Sequence, residues 1–268
     1  MRTVTKVYNR IEILLIAILC AAMLALDFVK VEYLADSLRN ALLSKIIQQG
    51  CGAIAAILLL RRLNIKLYGN FSKVWIYLIP CFIIAIDNFQ FSAYFHGKMS
   101  LTRTEWIDFL LFGGYCLAVG LFEECIFRGV IFSIIAGLFP KNKKGFIYTY
   151  VTSSAVFGLA HVVNGISVQI LYTVLTGGLF AFCLIKTRNI FCCAAVHGVY
   201  NFCGLLFGAE KDLGLGNGVV FDLGTVITML IVSVVVGLFV VYKTWTYSEQ
   251  ERVCLYADLG VKPSENKE

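Results

Sequence analysis

Charge is scarce in this sequence. Asp, Glu, Lys and Arg make up 15% of its 268 residues, where a soluble globular domain carries about 25%. Proline is almost missing, with three residues, so little interrupts the apolar runs. Histidine also numbers three. No two cysteines are spaced as CxxC, which removes the usual basis for a thiolate zinc site. No internal repeat and no soluble second domain can be read from the sequence.

What fills the space is apolar. Hydrophobic residues reach 59%, which points to an integral membrane protein. The 23 glycines suit a helical membrane protein, because small residues let helices approach closely. Of ten cysteines, only Cys254 lies in a polar segment. The others behave as small hydrophobes, so no structural disulfide is expected. The net charge of +6 does not point to nucleic acid, because the charges punctuate apolar runs as in membrane topology.

A spanning helix needs roughly 20 mostly apolar residues. Eight stretches qualify: 11–29, 44–60, 74–95, 105–123 running on to 139, 146–163, 167–185, 190–207 and 219–242. The expected fold is all-α, a polytopic bundle of about eight transmembrane helices. Its parts are N-terminal membrane helices (1–104), a membrane core (105–207), a last membrane helix (208–242) and a polar cytoplasmic tail (243–268), all one membrane domain. The fourth stretch is too long for a simple span, and Gly113 and Gly114 offer a break. The segment 31–45 has the helical spacing of a surface helix. The basic start at 1–10 leads into a retained anchor rather than a cleaved signal. With the N-terminus inside, inner loops hold sixteen Lys and Arg and outer ones six, which predicts both termini in the cytoplasm.

One stretch breaks the apolar rule. "GLFEECIFRGVIF", residues 120–132, puts Glu123, Glu124 and Arg128 inside a span. A charge at mid-bilayer costs about 2.5–3.5 kcal/mol on insertion scales and needs a partner or a function. Glu124 and Arg128, at i and i+4, share a helix face and can pair. Glu123 is rotated about 100° away. One carboxylate is therefore neutralised, and the other is not answered by this arginine. A desolvated carboxylate suits a general base. A purely structural cluster would not need two acids for one base.

Two of the three histidines, His161 and His197, also fall in spans. His197 and Asn201 share a face at i and i+4, as do Phe157 and His161. Two readings follow. In one, Glu123 and His161 hold and deprotonate a water, and His197 and Asn201 bind the oxyanion of a tetrahedral intermediate. In the other, Glu123, His161 and His197 ligate zinc, though no HExxH is present. Ser153, Ser154 and Cys203 lack an evident activating partner. At 1.5 Å per residue, Glu123, His161 and Asn201 lie about 24, 22 and 16 Å from the inner ends of their spans. His197 is expected to be shallower.

These residues carry a resemblance. "EECIFRG" matches EExxxR, "FGLAH" matches FxxxH and "HGVYN" matches HxxxN, in that order and all in membrane segments. The linking stretch "TGGLFAFCLIKTRNIFCCAAVHGVYN" agrees too. Residues 105–205 thus resemble the CPBP family, which includes type II CAAX prenyl endopeptidases and bacterial Abi or bacteriocin self-immunity proteins. The resemblance implies a glutamate-dependent intramembrane endopeptidase with no cofactor or metal. Glu123 would be the base and His161 would position the water. His197 and Asn201 would form the oxyanion hole. Glu124, Arg128 and Phe157 would support the site. Its partners would be a membrane-associated peptide or protein substrate and the lipid bilayer, with no nucleic acid, in a bacterial cell membrane. A non-proteolytic immunity, scaffold or regulatory protein of the same family is the other expectation. The remaining acids near spans, among them Asp27, Asp87 and Asp108, form no motif for a transporter.

Overall fold

The structure, a computed structural model, describes residues 10–25, 29, 37–69, 74–161 and 168–261. The basic start at 1–9, the first part of the surface stretch (31–36) and the tail end (262–268) lie outside the described residues. So do Arg2, Lys6, Lys30, Lys73, Lys262 and Lys267 of the topology count, and Asp27.

The described chain is helical throughout. Its elements are α1 (Arg10–Ala25), α2 (Leu38–Arg62), α3 (Trp75–Asp87), α4 (Phe91–Phe95) and α5 (Trp106–Glu124). A π-helical segment, Cys125–Ile131, leads straight into α6 (Phe132–Leu138). Then come α7 (Lys143–Ala160), α8 (Val168–Thr187), α9 (Ile190–Leu205), α10 (Leu223–Trp245) and α11 (Glu249–Asp258). Among the described residues there is no strand, only isolated bridges.

Short polar side chains set several helix starts by accepting otherwise unpaired backbone N–H groups. Asn142 caps α7 through the Gly145 N–H at 2.9 Å. Asn189 caps α9 through Phe191 and Cys192. Asp222 caps α10 through Thr225 at 2.8 Å. Ser248 and Glu251 form a reciprocal capping box at α11.

Four expectations change. α5 runs through Gly113 and Gly114 without a break, and the irregularity falls instead on the π segment at 125–131. The proposed surface helix is not separate, because residues 38–45 are the first turns of α2. The stretch 74–95 is two helices, broken at Asn88, whose amide donates to the Tyr200 carbonyl at 3.0 Å. The tail is not featureless: 243–245 complete α10, and α11 folds back to bury Leu255, Tyr256 and Leu259. Lys186 reaches Glu251 at 3.6 Å, and Arg188 reaches Asp258 at 3.0 Å. Ser133 donates to the Leu259 carbonyl at 2.6 Å.

Among the described residues, two helices, Leu38–Arg62 and Leu223–Trp245, are long and apolar enough to cross a membrane. Helix length alone does not give eight spans. The outward faces are nevertheless greasy. On α10, Leu223, Leu230, Val235, Leu238 and Val241 are all exposed. Lipid can cover such a surface; water covers it poorly. All ten cysteines are free, eight of them buried.

α5 packs against α2 on one side and α9 on another, and α7 packs on α8. Glycines permit the close crossings. A Cβ on Gly120 would lie 2.9 Å from the Ala194 carbonyl oxygen and 3.0 Å from the Gly198 nitrogen. One on Gly198 would lie 2.6 Å from a Leu117 methyl. We predict that Gly120→Val forces α5 from α9 and costs about 1–3 kcal/mol. Gly137→Ala, with open space around it, should leave stability unchanged. Thermal unfolding of the detergent-solubilised variants, followed by fluorescence-detected size exclusion, measures both.

Candidate active site

The α5–α9 crossing brings the last turn of α5 alongside the middle of α9. Glu124 ends α5, fully buried. Its Oε2 lies 3.1 Å from Nε of Arg128, which sits in the π segment and is 1% exposed. Its Oε1 lies 2.9 Å from Nδ1 of His197. Glu124 therefore serves two cationic or donor groups at once. Arg128 is held from other sides as well. Its Nη2 donates to the Gly177 carbonyl of α8 at 2.9 Å, and its guanidinium lies 4.1 Å from the Phe157 ring centroid. A buried guanidinium needs this combination of carboxylate, carbonyl and aromatic face.

Glu123 faces a different set. Its Oε2 is 3.9 Å from Nε2 of His161 and 3.9 Å from Nε2 of His197. His161 is the residue that closes α7, and its Nδ1 lies 2.8 Å from the Phe157 carbonyl. A carbonyl only accepts, so that Nδ1 carries a proton and Nε2 is the ring nitrogen turned to Glu123. His197 is anchored through Nδ1 to the Glu124 carboxylate, and its Nε2 faces Glu123. Phe157 packs on both rings, at 4.7 Å from His161 and 6.0 Å from His197.

The residues singled out in the sequence divide accordingly. Glu123, His161 and His197 converge, Glu124 pairs with Arg128, and Phe157 backs them. Asn201, half-buried one turn beyond His197, makes no hydrogen bond to the glutamates or histidines among the described residues. His197 is buried, and the α8–α9 turn before it packs on the 65–69 segment. Ile190 donates to the Leu67 carbonyl at 2.9 Å, beneath the buried residues Ile65 and Leu67.

Sequence reasoning missed two members of the site, both on α8. Gly177 accepts from Arg128, and Phe180 stacks on His197 at 4.5 Å and 20°. Gly177 lay in the glycine-led stretch quoted above. Phe180 was one of 21 phenylalanines with nothing to mark it. Among the described residues, no group of three or more His, Cys, Asp or Glu side chains is arranged to hold a metal ion.

A set of acid–base groups, largely buried, therefore lies within an apolar helical bundle. The family comparison agrees: residues 104–203 match the model of the Rce1-like type II CAAX prenyl endopeptidases. That segment, about 100 of the 268 residues, is what the chain shares with this protease family. The match begins at the start of α5 and ends within α9, so it spans every residue of the cluster. No curated protein and no solved structure matches the chain.

Truncating Arg128 to Ala strands a buried carboxylate, a loss of about 3–5 kcal/mol. We expect Arg128→Ala to abolish the monodisperse folded peak in size exclusion. Arg128→Lys should fall well short of wild type, since an ammonium cannot span Glu124 and Gly177 as the planar fork does.

Proposed function

We propose that the protein is an intramembrane endopeptidase that hydrolyses a peptide bond in a membrane-associated peptide or protein. The observation that carries this reading is the division of labour between adjacent glutamates. Glu124 is occupied by Arg128 and His197, while Glu123 faces two imidazole nitrogens at 3.9 Å. That spacing is too long for a direct hydrogen bond and suits a bridging water.

In this mechanism Glu123 is the general base, and the water attacks the scissile carbonyl as Glu123 takes its proton. His161, fixed through its Nδ1, orients the water. His197 stabilises the oxyanion through Nε2, which carries a proton only in the imidazolium form. Glu124 on the opposite nitrogen supports that charge, and an imidazolium also balances the two carboxylates and one guanidinium of the cluster. Asn201, on the same face of α9, completes the oxyanion hole once substrate is bound. No covalent acyl-enzyme is formed. The catalytic core is 105–207, flanked by membrane helices 1–104 and 208–242 and a cytoplasmic segment from 243. We place the chain across a bacterial cell membrane with eight spans and both termini cytoplasmic.

A second reading keeps the cluster as a partner-binding element without hydrolysis, as in an immunity or scaffold protein, because fold does not fix function. The occupied positions Glu123, His161 and His197 favour catalysis.

Glu123→Gln keeps the shape and removes the base. It should lower cleavage by at least about 100-fold while the protein still elutes as a folded species. Undiminished cleavage would remove Glu123 from the mechanism. A chelator should leave wild-type cleavage unchanged, and inhibition reversed by added zinc would replace this mechanism with a metal-dependent one.

A further inference from the structure

We propose that Phe180 is a positioning residue of this site, holding the His197 imidazole so that Nδ1 meets Glu124 while Nε2 faces Glu123. The role for Nε2 rests on the hydrolytic reading above; the ring-holding role does not. Phe180 comes from α8, which contributes no acid or histidine to the cluster. Its ring lies flat on the imidazole, with centroids 4.5 Å apart and planes 20° from parallel. It is 1% exposed and cannot swing aside. The Phe157 ring meets it edge-on at 5.9 Å, and the Tyr200 ring does so at 5.8 Å. Phe157 also meets the His197 ring edge-on.

Phe180 acts on rotation about the Cβ–Cγ bond of His197. That torsion is broad and roughly two-fold in a free side chain. A half-turn exchanges Nδ1 with Cδ2 and Nε2 with Cε1. It would break the bond to Glu124 and withdraw Nε2 from Glu123. To make the turn, the imidazole edge must sweep through the space directly above its own plane, which the Phe180 face fills. A leucine there keeps apolar burial but leaves no flat wall. The Arg128 guanidinium lies 5.4 Å from the same phenyl centroid, so one ring borders both groups that Glu124 serves.

The chain has three histidines, so selective ¹⁵N-histidine labelling of the full-length protein in detergent micelles gives a readable spectrum. His197→Asn assigns the signals. The wild type should show His197 in one ring orientation, with distinct, unexchanging Nδ1 and Nε2 signals. Phe180→Leu should show averaged ring nitrogens. Phe127→Leu is the packing control, because Phe127 meets Phe157 edge-on at 5.0 Å and is equally buried but does not stack on His197. It should leave the His197 signals as in the wild type. In a proteolysis assay, Phe180→Leu should lower kcat by about 10–100-fold with KM within about twofold. Unchanged His197 signals in Phe180→Leu would overturn the proposal, whatever happens to cleavage. Averaging in Phe127→Leu as well would also overturn it, since general loosening would then suffice. If the wild type cleaves nothing, the hydrolytic reading fails, and the spectra still decide the role of Phe180.

Discussion

Everything in this site depends on Glu124 being shared. One buried carboxylate holds one oxygen 3.1 Å from the Arg128 Nε as an ion pair and the other 2.9 Å from the His197 Nδ1. In a low-dielectric interior neither the acid nor the guanidinium is tolerable alone. The pairing therefore locks α5, the π segment and α9 into one arrangement. α8 joins them because Arg128 spends another donor on the Gly177 carbonyl. Glu123, one residue earlier, is turned by helical geometry away from the arginine and toward the histidines. The catalytic reading follows from this inequality between neighbours, not from the mere presence of acids in a membrane segment.

Small residues make the sharing possible. Gly120 and Gly198 let α5 and α9 approach until backbone nearly meets backbone. Gly177, close to the Ser154 carbonyl and the Phe157 ring, does the same for α7 and α8. The π segment absorbs the one local departure from regular helix where Glu124 and Arg128 must meet. Such segments recur at functional sites. Gly129 within it faces a Leu60 side chain at a distance that leaves no room for a Cβ. The aromatic residues then fill the remaining faces of the cluster, and α11 closes the far end of the bundle over Ser133, Lys186 and Arg188.

Much of this was legible in the sequence, for identifiable reasons. The i and i+4 spacing of Glu124 and Arg128 survives even though the helix changes type between them. The separation of Glu123 from that pair follows from the 3.6-residue turn. The long apolar runs gave the helices, with shifted ends. The pairing of the turn before Ile190 with Leu67 and Gly69 was not legible, because it joins segments far apart in the chain. The π segment has no sequence signature comparable to a proline or a glycine break. The final helix did announce itself, through Ser248 and Glu251 three residues apart, but a short polar segment after the last span reads as a tail. Phe180 was invisible, because stacking on His197 is a tertiary property of a helix that carries no motif residue. Asn201 was legible as a facing partner of His197, yet sharing a helix face does not make it bond to the cluster.

Two adjacent glutamates have different partners. A cryo-electron microscopy map of the protein in lipid nanodiscs, at a resolution that resolves side-chain contacts and ordered water, tests it most directly. The map should show Glu124 between Arg128 and His197, with Glu123 turned to Nε2 of His161 and His197 and a water density among the three. A map with Glu123 seated on the Arg128 guanidinium would contradict it.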